Sequence, residues 1–395
     1  MRVRGRAAEY ARYTRLMTMP QDTALPLLGG ISTARFMAAH WQKQPLFVAG
    51  GVPEAAGVID VETLFDLAQH PEAQTRRIAR KGDAWTVDHG PLRPRQLAAK
   101  GVWTVLVQGI NHFLPAADAL LRRFAFIPYT RLDDVMASYA TPGGGVGPHY
   151  DSYDVFLIQA QGTRRWQISG QTDRALLPDQ PLKLMADFRA EQTFDCRPGD
   201  LLYLPPGYAH DGVAIGDCIT LSVGFRAPSH AELGREFLFW LAERVDLPGL
   251  YADPGLEPAA DPALVDAGLV RRVAEVLRGI RWDDAAIAAF LGQYLSEPKP
   301  HVVFDPPDDP LGGAAFARAA QRHGVALDLQ TLMLHDGDRV FCNGEAVTVP
   351  ADLRPALCRL AGRRFLEAAE VSRALADTLY PFYEAGHLHI AEPAA

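Results

Sequence analysis

Pro142-Gly-Gly-Gly-Val-Gly-Pro-His149-Tyr-Asp151, answered downstream by Leu201-Leu-Tyr-Leu-Pro-Pro-Gly-Tyr-Ala-His210, places two histidines and one carboxylate within a strand-and-turn pattern. Residues i and i+2 of a strand point to one face, so His149 and Asp151 are expected to offer an imidazole and a carboxylate to the same metal. His210 is expected to complete the set from a second strand. Two histidines and one carboxylate on one face of a metal leave positions open, the geometry of Fe(II) enzymes that bind a co-substrate and then dioxygen.

The tripeptide alone is cheap. With 12 His and 47 acidic residues in 395, chance gives about one or two His-x-Asp/Glu matches. Three occur. His70-Pro-Glu72 follows an apolar helical run, and His230-Ala-Glu232 begins a helix in which Ser229 and Glu232 read as a capping box. His149 differs because a glycine-rich loop precedes it and an apolar strand pattern, Tyr153 to Gln159, follows. The second segment has its own grammar. Cys196-Arg-Pro-Gly-Asp200 reads as a turn, Leu201 to Leu204 as a short strand, and Pro205-Pro-Gly207 as a turn delivering His210. Taken alone, His210 reads equally as a hydrogen-bonded core histidine.

Gln159-Ala-Gln-Gly162-Thr-Arg164-Arg-Trp166-Gln-Ile168 reads as strand, glycine turn, strand, with a cation inside an apolar sheet. A buried guanidinium needs an anion and matches a carboxylate with two parallel hydrogen bonds. An inward Arg164 therefore suits the distal carboxylate of 2-oxoglutarate, while Arg165 faces solvent. The competing reading makes both arginines surface residues of an edge strand.

These segments resemble the JmjC-type ribosomal oxygenases of the cupin superfamily, in particular their bacterial arginine-hydroxylase branch. The resemblance is carried by Phe36-Met-Ala-Ala-His-Trp-Gln-Lys-Gln-Pro-Leu46, the glycine-rich approach to His149, Tyr153-Asp-Val-Phe-Leu-Ile-Gln159 and Gly162-Thr-Arg-Arg-Trp166. It continues through Leu202-Tyr-Leu-Pro-Pro-Gly207, Ser222-Val-Gly-Phe-Arg-Ala-Pro228 and Tyr294-Leu-Ser-Glu-Pro-Lys299, so it runs from about residue 20 to the end. It implies an α+β fold: a double-stranded β-helix (JmjC/cupin jelly-roll barrel), a helical dimerisation region and a C-terminal winged-helix-like domain. The implied division is a basic extension over 1–19, a catalytic domain over 20–228, the dimerisation helices over 229–300 and the winged helix over 301–395. By position it makes His149, Asp151 and His210 the catalytic Fe(II) ligands, Arg164 the anchor of the 2-oxoglutarate C5 carboxylate, and Ser138 a hydroxyl for the same co-substrate. Many JmjC relatives carry lysine at the Arg164 position, so arginine agrees with the bacterial branch. The implied reaction is dioxygen-dependent hydroxylation of an arginine β-carbon in large-subunit ribosomal protein sixteen. The alternatives are a histidine hydroxylase or lysine demethylase of the same superfamily, and a non-catalytic cupin that binds or regulates a partner.

Composition is consistent with this. An apolar content of 48% is ordinary for a globular chain. Cys196, Cys218, Cys342 and Cys358 form no CxxC pair, which points to reduced thiols and a cytoplasmic setting. No apolar run reaches the length of a membrane span. Arg2, Arg4, Arg6, Arg12 and Arg15 make the first nineteen residues basic, read as a disordered tail or an extension beyond the true start. A formal net charge of −8 disfavours a general nucleic-acid binder and suits a basic protein substrate. Asp133, Asp134, Asp154 and Asp211 are candidates for an acidic groove that attracts it.

The C-terminal part contains a hairpin pattern, Arg339 to Val349 around Asn343-Gly344, among helical stretches near 314–322, 351–361 and 365–377. From His301 on there are 8 Lys/Arg against 13 Asp/Glu, a net of −5, whereas a DNA-reading domain should be basic. A protein-binding or structural role is expected. Upstream, helices are expected from the Ser229 cap, over Val265 to Leu277, and over Asp284 to Tyr294. Phe237, Trp240, Leu241 and Arg244 share one face of the first.

Overall fold

The computed structural model describes residues 23–391; the basic extension of residues 1–19 lies outside them. The N-terminal half contains β1 (Leu46–Val48), β2 (Thr75–Lys81), β3 (Ala84–His89), β4 (Val102–Val107), β5 (Leu132–Ala140), β6 (His149–Tyr150), β7 (Val155–Gln161), β8 (Arg164–Ser169), β9 (Gln192–Cys196), β10 (Leu201–Leu204), β11 (Ala209–Ala214) and β12 (Cys218–Phe225). Its helices are α1 (Thr33–Ala39), α2 (Val61–Gln69), α3 (Pro94–Leu97) and α4 (Pro115–Arg122). An eight-stranded sheet, ordered β1-β10-β7-β12-β5-β4-β2-β3, faces a four-stranded one, ordered β6-β11-β8-β9.

Burial explains why β7 is an almost unbroken apolar run. It lies between β10 and β12 and is covered on both faces, so alternation with polar residues disappears. Its Phe156 packs with Phe36, Phe124, Tyr203 and Phe225 as one aromatic core. Gly162 then turns the chain at φ +64°, and a side chain there would collide with the Asp217 carbonyl. The expected strand, turn and strand are present, but β7 and β8 belong to different sheets. The glycine is a barrel corner, and it swings Arg164 into the interior.

The ligand strand differs from expectation. β6 ends at Tyr150, so Asp151 is not the third residue of a strand. It occupies the following turn, where its carbonyl accepts a hydrogen bond from Gly207 N at 2.7 Å. The Pro205-Pro-Gly207 turn docks at that point and ends the pairing. His70 lies directly after α2, in keeping with its structural reading.

Beyond the barrel come α5 (His230–Ala242), α6 (Ala267–Arg278) and α7 (Asp284–Ser296). Ser229 and Glu232 form the capping box at the head of α5. Phe237 and Trp240 both pack against Phe290 of α7, whereas Arg244 lies past the end of α5 and covers the Trp240 ring at 4.3 Å. Among the described residues no helix is long and apolar enough to cross a membrane.

The C-terminal unit consists of α8 (Gly313–His323), β13 (Val325–Leu327), β14 (Met333–His335), β15 (Val340–Cys342), β16 (Glu345–Val347), α9 (Arg354–Arg363), β17 (Phe365–Leu366), α10 (Arg373–Glu384) and β18 (Leu388–Ile390), around a separate core. The hairpin turns through Asn343 and Gly344, both at positive φ, as a two-residue loop requires. The helix expected over 365–377 lies further along. Phe365 and Leu366 pair with β13 instead, and Ser372 caps α10 by accepting from Leu375 N.

The two halves are joined through buried polar groups. Arg364, 2% exposed, donates to the Asp328 and Thr331 carbonyls. It also approaches Asp118 of α4 at 3.7 Å. Tyr129 Oη donates to the Gly362 carbonyl at 3.0 Å.

Candidate active site

Antiparallel pairing sets His210 of β11 directly opposite His149 of β6. With Asp151 in the adjoining turn, one ligand atom from each residue lies within 4.8 Å of the others. Among the described residues this is the one group of three or more His, Cys, Asp or Glu so arranged. His149 Nδ1 is 2.9 Å from the Gly147 carbonyl and His210 Nδ1 is 2.9 Å from the Tyr208 carbonyl. A carbonyl can only accept, so each Nδ1 carries the proton and each Nε2 presents a lone pair.

Burial acts on His210 and Asp151. It brings His210 down to about 3, with His149 opposing its protonation as well. It pushes the Asp151 carboxyl up, against the pull of His149 and a hydrogen bond from Tyr153. Two imidazole Nε2 atoms turned towards a desolvated carboxylate are the donor set a divalent metal takes, since its charge offsets the carboxylate's desolvation. The residues present therefore fit Fe(II).

Arg164 fits the co-substrate equally well. It is 5% exposed, lies over the Trp166 ring at 5.7 Å and gives one hydrogen bond, Nη1 to Ser138 Oγ at 3.3 Å. Its Nε and Nη2 are buried without a hydrogen-bond partner. A buried guanidinium with two unused donors calls for an anion. Ser138 donates in turn to the Thr220 carbonyl, so sequence reasoning placed both residues in one pocket. Arg165 points the other way and pairs with Asp195 through two bonds of 2.7 and 2.8 Å, as strand alternation requires.

Three residues of this pocket were not singled out from the sequence. Thr220 donates to Gln159 Oε1 at 2.9 Å, and this pair lies level with Ser138 across β5, β12 and β7. Gln159 carried a signal, a polar residue inside an apolar run. Tyr153, bonded to Asp151, carried none.

The acidic groove requires correction. Asp154 is buried and bonded to Tyr203 Oη at 2.6 Å and Gln42 Nε2 at 3.0 Å, with Arg131 3.6 Å away. Lys299 lies 2.9 Å from Asp133 and 3.2 Å from Asp134. Internal cations thus answer three of the four carboxylates. Asp211 follows His210 on β11 and so faces the opposite side of that sheet; its Oδ1 is buried without a hydrogen-bond partner.

The sequence matches the JmjC domain family over residues 119–233 and the ROXA-like winged helix family over residues 279–389. It is 34% identical over 344 residues to the ribosomal protein uL16 3-hydroxylase of Escherichia coli (strain K12), an alignment covering 87% of this chain and 92% of that protein. The crystal structure of E. coli YcfD superposes with a TM-score of 0.80 at 32% identity, covering 91% of this chain and 98% of that one. The E. coli ribosomal oxygenase YcfD in complex with cobalt and 2-oxoglutarate gives 0.76 at 31% identity, covering 90% and 97%. Barrel, winged helix and 34% identity along most of both chains together show that the chain belongs to the JmjC-domain ribosomal oxygenases that carry a ROXA-like winged helix.

Proposed function

We propose that this chain is an Fe(II)- and 2-oxoglutarate-dependent dioxygenase that hydroxylates the β-carbon of an arginine in ribosomal protein uL16. One observation carries the reading: the convergence of His149, Asp151 and His210 in the same barrel as a buried Arg164 with two unused donors. The relative named uL16 3-hydroxylase supports the substrate.

His149, Asp151 and His210 would hold Fe(II), with Arg164 and Ser138 gripping the far carboxylate of 2-oxoglutarate. Bound there, the metal supplies the activation of dioxygen that couples decarboxylation of 2-oxoglutarate to succinate with hydroxylation of a C–H bond. The chain's own contribution is placement and exclusion of water. Locked Nδ1 protons aim both Nε2 atoms inward. Trp166 walls the interior between Arg164 and His210, and no side chain needs to move a proton at the oxidised carbon. On β5, Asp134, Met136 and Ser138 alternate onto one face, so a buried carboxylate, paired with Lys299, lies on the same side of the strand as Ser138.

Residues 229–300 serve as the dimerisation region. Leu238, Phe239, Val270, Val273 and Leu277 are exposed on these helices, more apolar surface than a monomer usually leaves to water. The winged helix over 301–395, with its net charge of −5, contacts protein rather than DNA, and the enzyme works in the cytoplasm on a basic ribosomal protein.

The test is mass spectrometry of ribosomal proteins incubated with enzyme, Fe(II), 2-oxoglutarate and air, beside the His149→Ala variant. One oxygen added to an arginine of uL16 by the wild type alone supports the proposal. Consumption of 2-oxoglutarate with an oxygen on histidine, or none on uL16, overturns the substrate.

A further inference from the structure

Lys299 lies on the irregular segment that leaves α7 and follows the barrel before the winged helix begins. Its Nζ is 2.9 Å from Asp133 Oδ1 and 3.2 Å from Asp134 Oδ2. Gln108 Nε2 donates to both oxygens of Asp134, at 3.0 and 3.3 Å. Arg226 Nε stands 3.6 Å from Asp133 Oδ1. Two carboxylates therefore face two cations, and the cluster is formally neutral as it stands.

That neutrality conflicts with a cationic substrate. Asp134 shares the inner face of β5 with Met136 and Ser138, yet its side chain is 3% exposed while that of Lys299 is 29% exposed. A further cation at Asp134 would add an uncompensated charge to partly dehydrated surroundings, which is strongly unfavourable. One resident cation must leave. Arg226 is fixed at both ends: Nη1 donates to the Leu295 carbonyl at 2.7 Å, and its own carbonyl accepts from Arg131 Nε at 2.8 Å. Lys299 is the freer of the two. Its described side-chain contacts are the two carboxylates, its stem is flexible, and its backbone belongs to no helix or strand. Two residues on, His301 Nδ1 meets Gln74 Nε2 at 3.0 Å, a second light attachment of the same strap to the barrel.

We infer that Lys299 is a displaceable internal cation, standing in for the substrate's guanidinium at Asp134 and expelled by it, so that the strap of residues 297–303 opens as substrate enters. This rests on the arginine substrate proposed above. It makes Lys299 a specificity-determining residue: a cationic side chain can replace the ammonium in kind, whereas a neutral one would leave two carboxylates unanswered.

The experiment uses the full chain, Fe(II), 2-oxoglutarate and a uL16 peptide spanning the target arginine. For Lys299→Met, the KM for peptide is expected to fall about tenfold with kcat unchanged, and Lys299→Arg, which keeps the cation, to restore the wild-type KM. In the wild type, a lysine-reactive reagent read by mass spectrometry should modify Lys299 faster once peptide is added, a readout that does not depend on the variant folding. Turnover by the wild type with Lys299 labelling unchanged or slowed by peptide overturns the displacement and leaves the proposed function standing. Absence of wild-type turnover overturns both.

Discussion

The imidazoles of His149 and His210 lie with ring centroids 4.2 Å apart, at directly opposed positions of β6 and β11. Neither ring can move without disturbing a strand pair, and Asp151 is tied to the turn that precedes His210 through the Gly207 bond. A metal held by these residues would bridge two chain segments some sixty residues apart. Dialysis against a chelator should abolish succinate formation, and Fe(II) should restore it. His210→Ala should lower turnover by more than about 100-fold, since even partners of metal ligands are worth about 10- to 100-fold.

Arg164→Ala removes the proposed anchor of the 2-oxoglutarate carboxylate. The KM for 2-oxoglutarate should rise by about 30-fold or more, as expected for one partner of a buried charged pair. Ser138→Ala should raise it by only about five- to tenfold, the scale of one hydrogen bond. Succinate assays over a range of 2-oxoglutarate concentrations separate the two. Equal effects would mean that the Ser138 hydroxyl holds the anion as strongly as the guanidinium.

His112 gives stability a pH dependence. Burial brings its pKa down to about 4 from an ordinary 6.5, with Lys299 and His301 adding to the effect. The folded protein thus resists a proton that the unfolded chain accepts. Stability should be full above pH 6.5 and fall as pH drops from 6.5 towards 4, by roughly 3 kcal/mol in all. Denaturant unfolding at pH 5 and pH 7.5 should show the loss in the wild type and a smaller one in His112→Gln.

Arg364→Ala should lower stability by about 3–5 kcal/mol. It leaves the Asp118 side of the junction short of a charge and opens the buried Asp328 and Thr331 carbonyls. Arg165→Ala, which removes an exposed pair, should leave the unfolding midpoint in place. A negligible effect of Arg364→Ala would mean that the two halves fold independently.

The barrel and the convergence of the three candidate ligands were legible because local patterns encode them: a glycine-rich approach, an apolar strand, a proline-glycine turn before His210. Arg164 and Arg165 followed from strand alternation alone. The partners of Asp133, Asp134 and Asp154 were not legible, because Lys299, Arg226, Gln42 and Arg131 come from distant parts of the chain. The end of β6 at Tyr150 was hidden for the same reason, since it depends on a turn more than fifty residues away. In the winged helix, apolar spacing near residue 365 could not reveal that Phe365 and Leu366 pair with β13 rather than coil.

The two ligand histidines take their orientation from carbonyls of their own chain two residues upstream, Gly147 and Tyr208, and not from a carboxylate on a pocket wall. The aim of both Nε2 atoms is thereby insulated from the residues that line the cleft. Walls can be exchanged, and new side chains admitted as substrates, while the oxidising centre is inherited unaltered. A single barrel of this design is open to diversification by substitution in its lining alone.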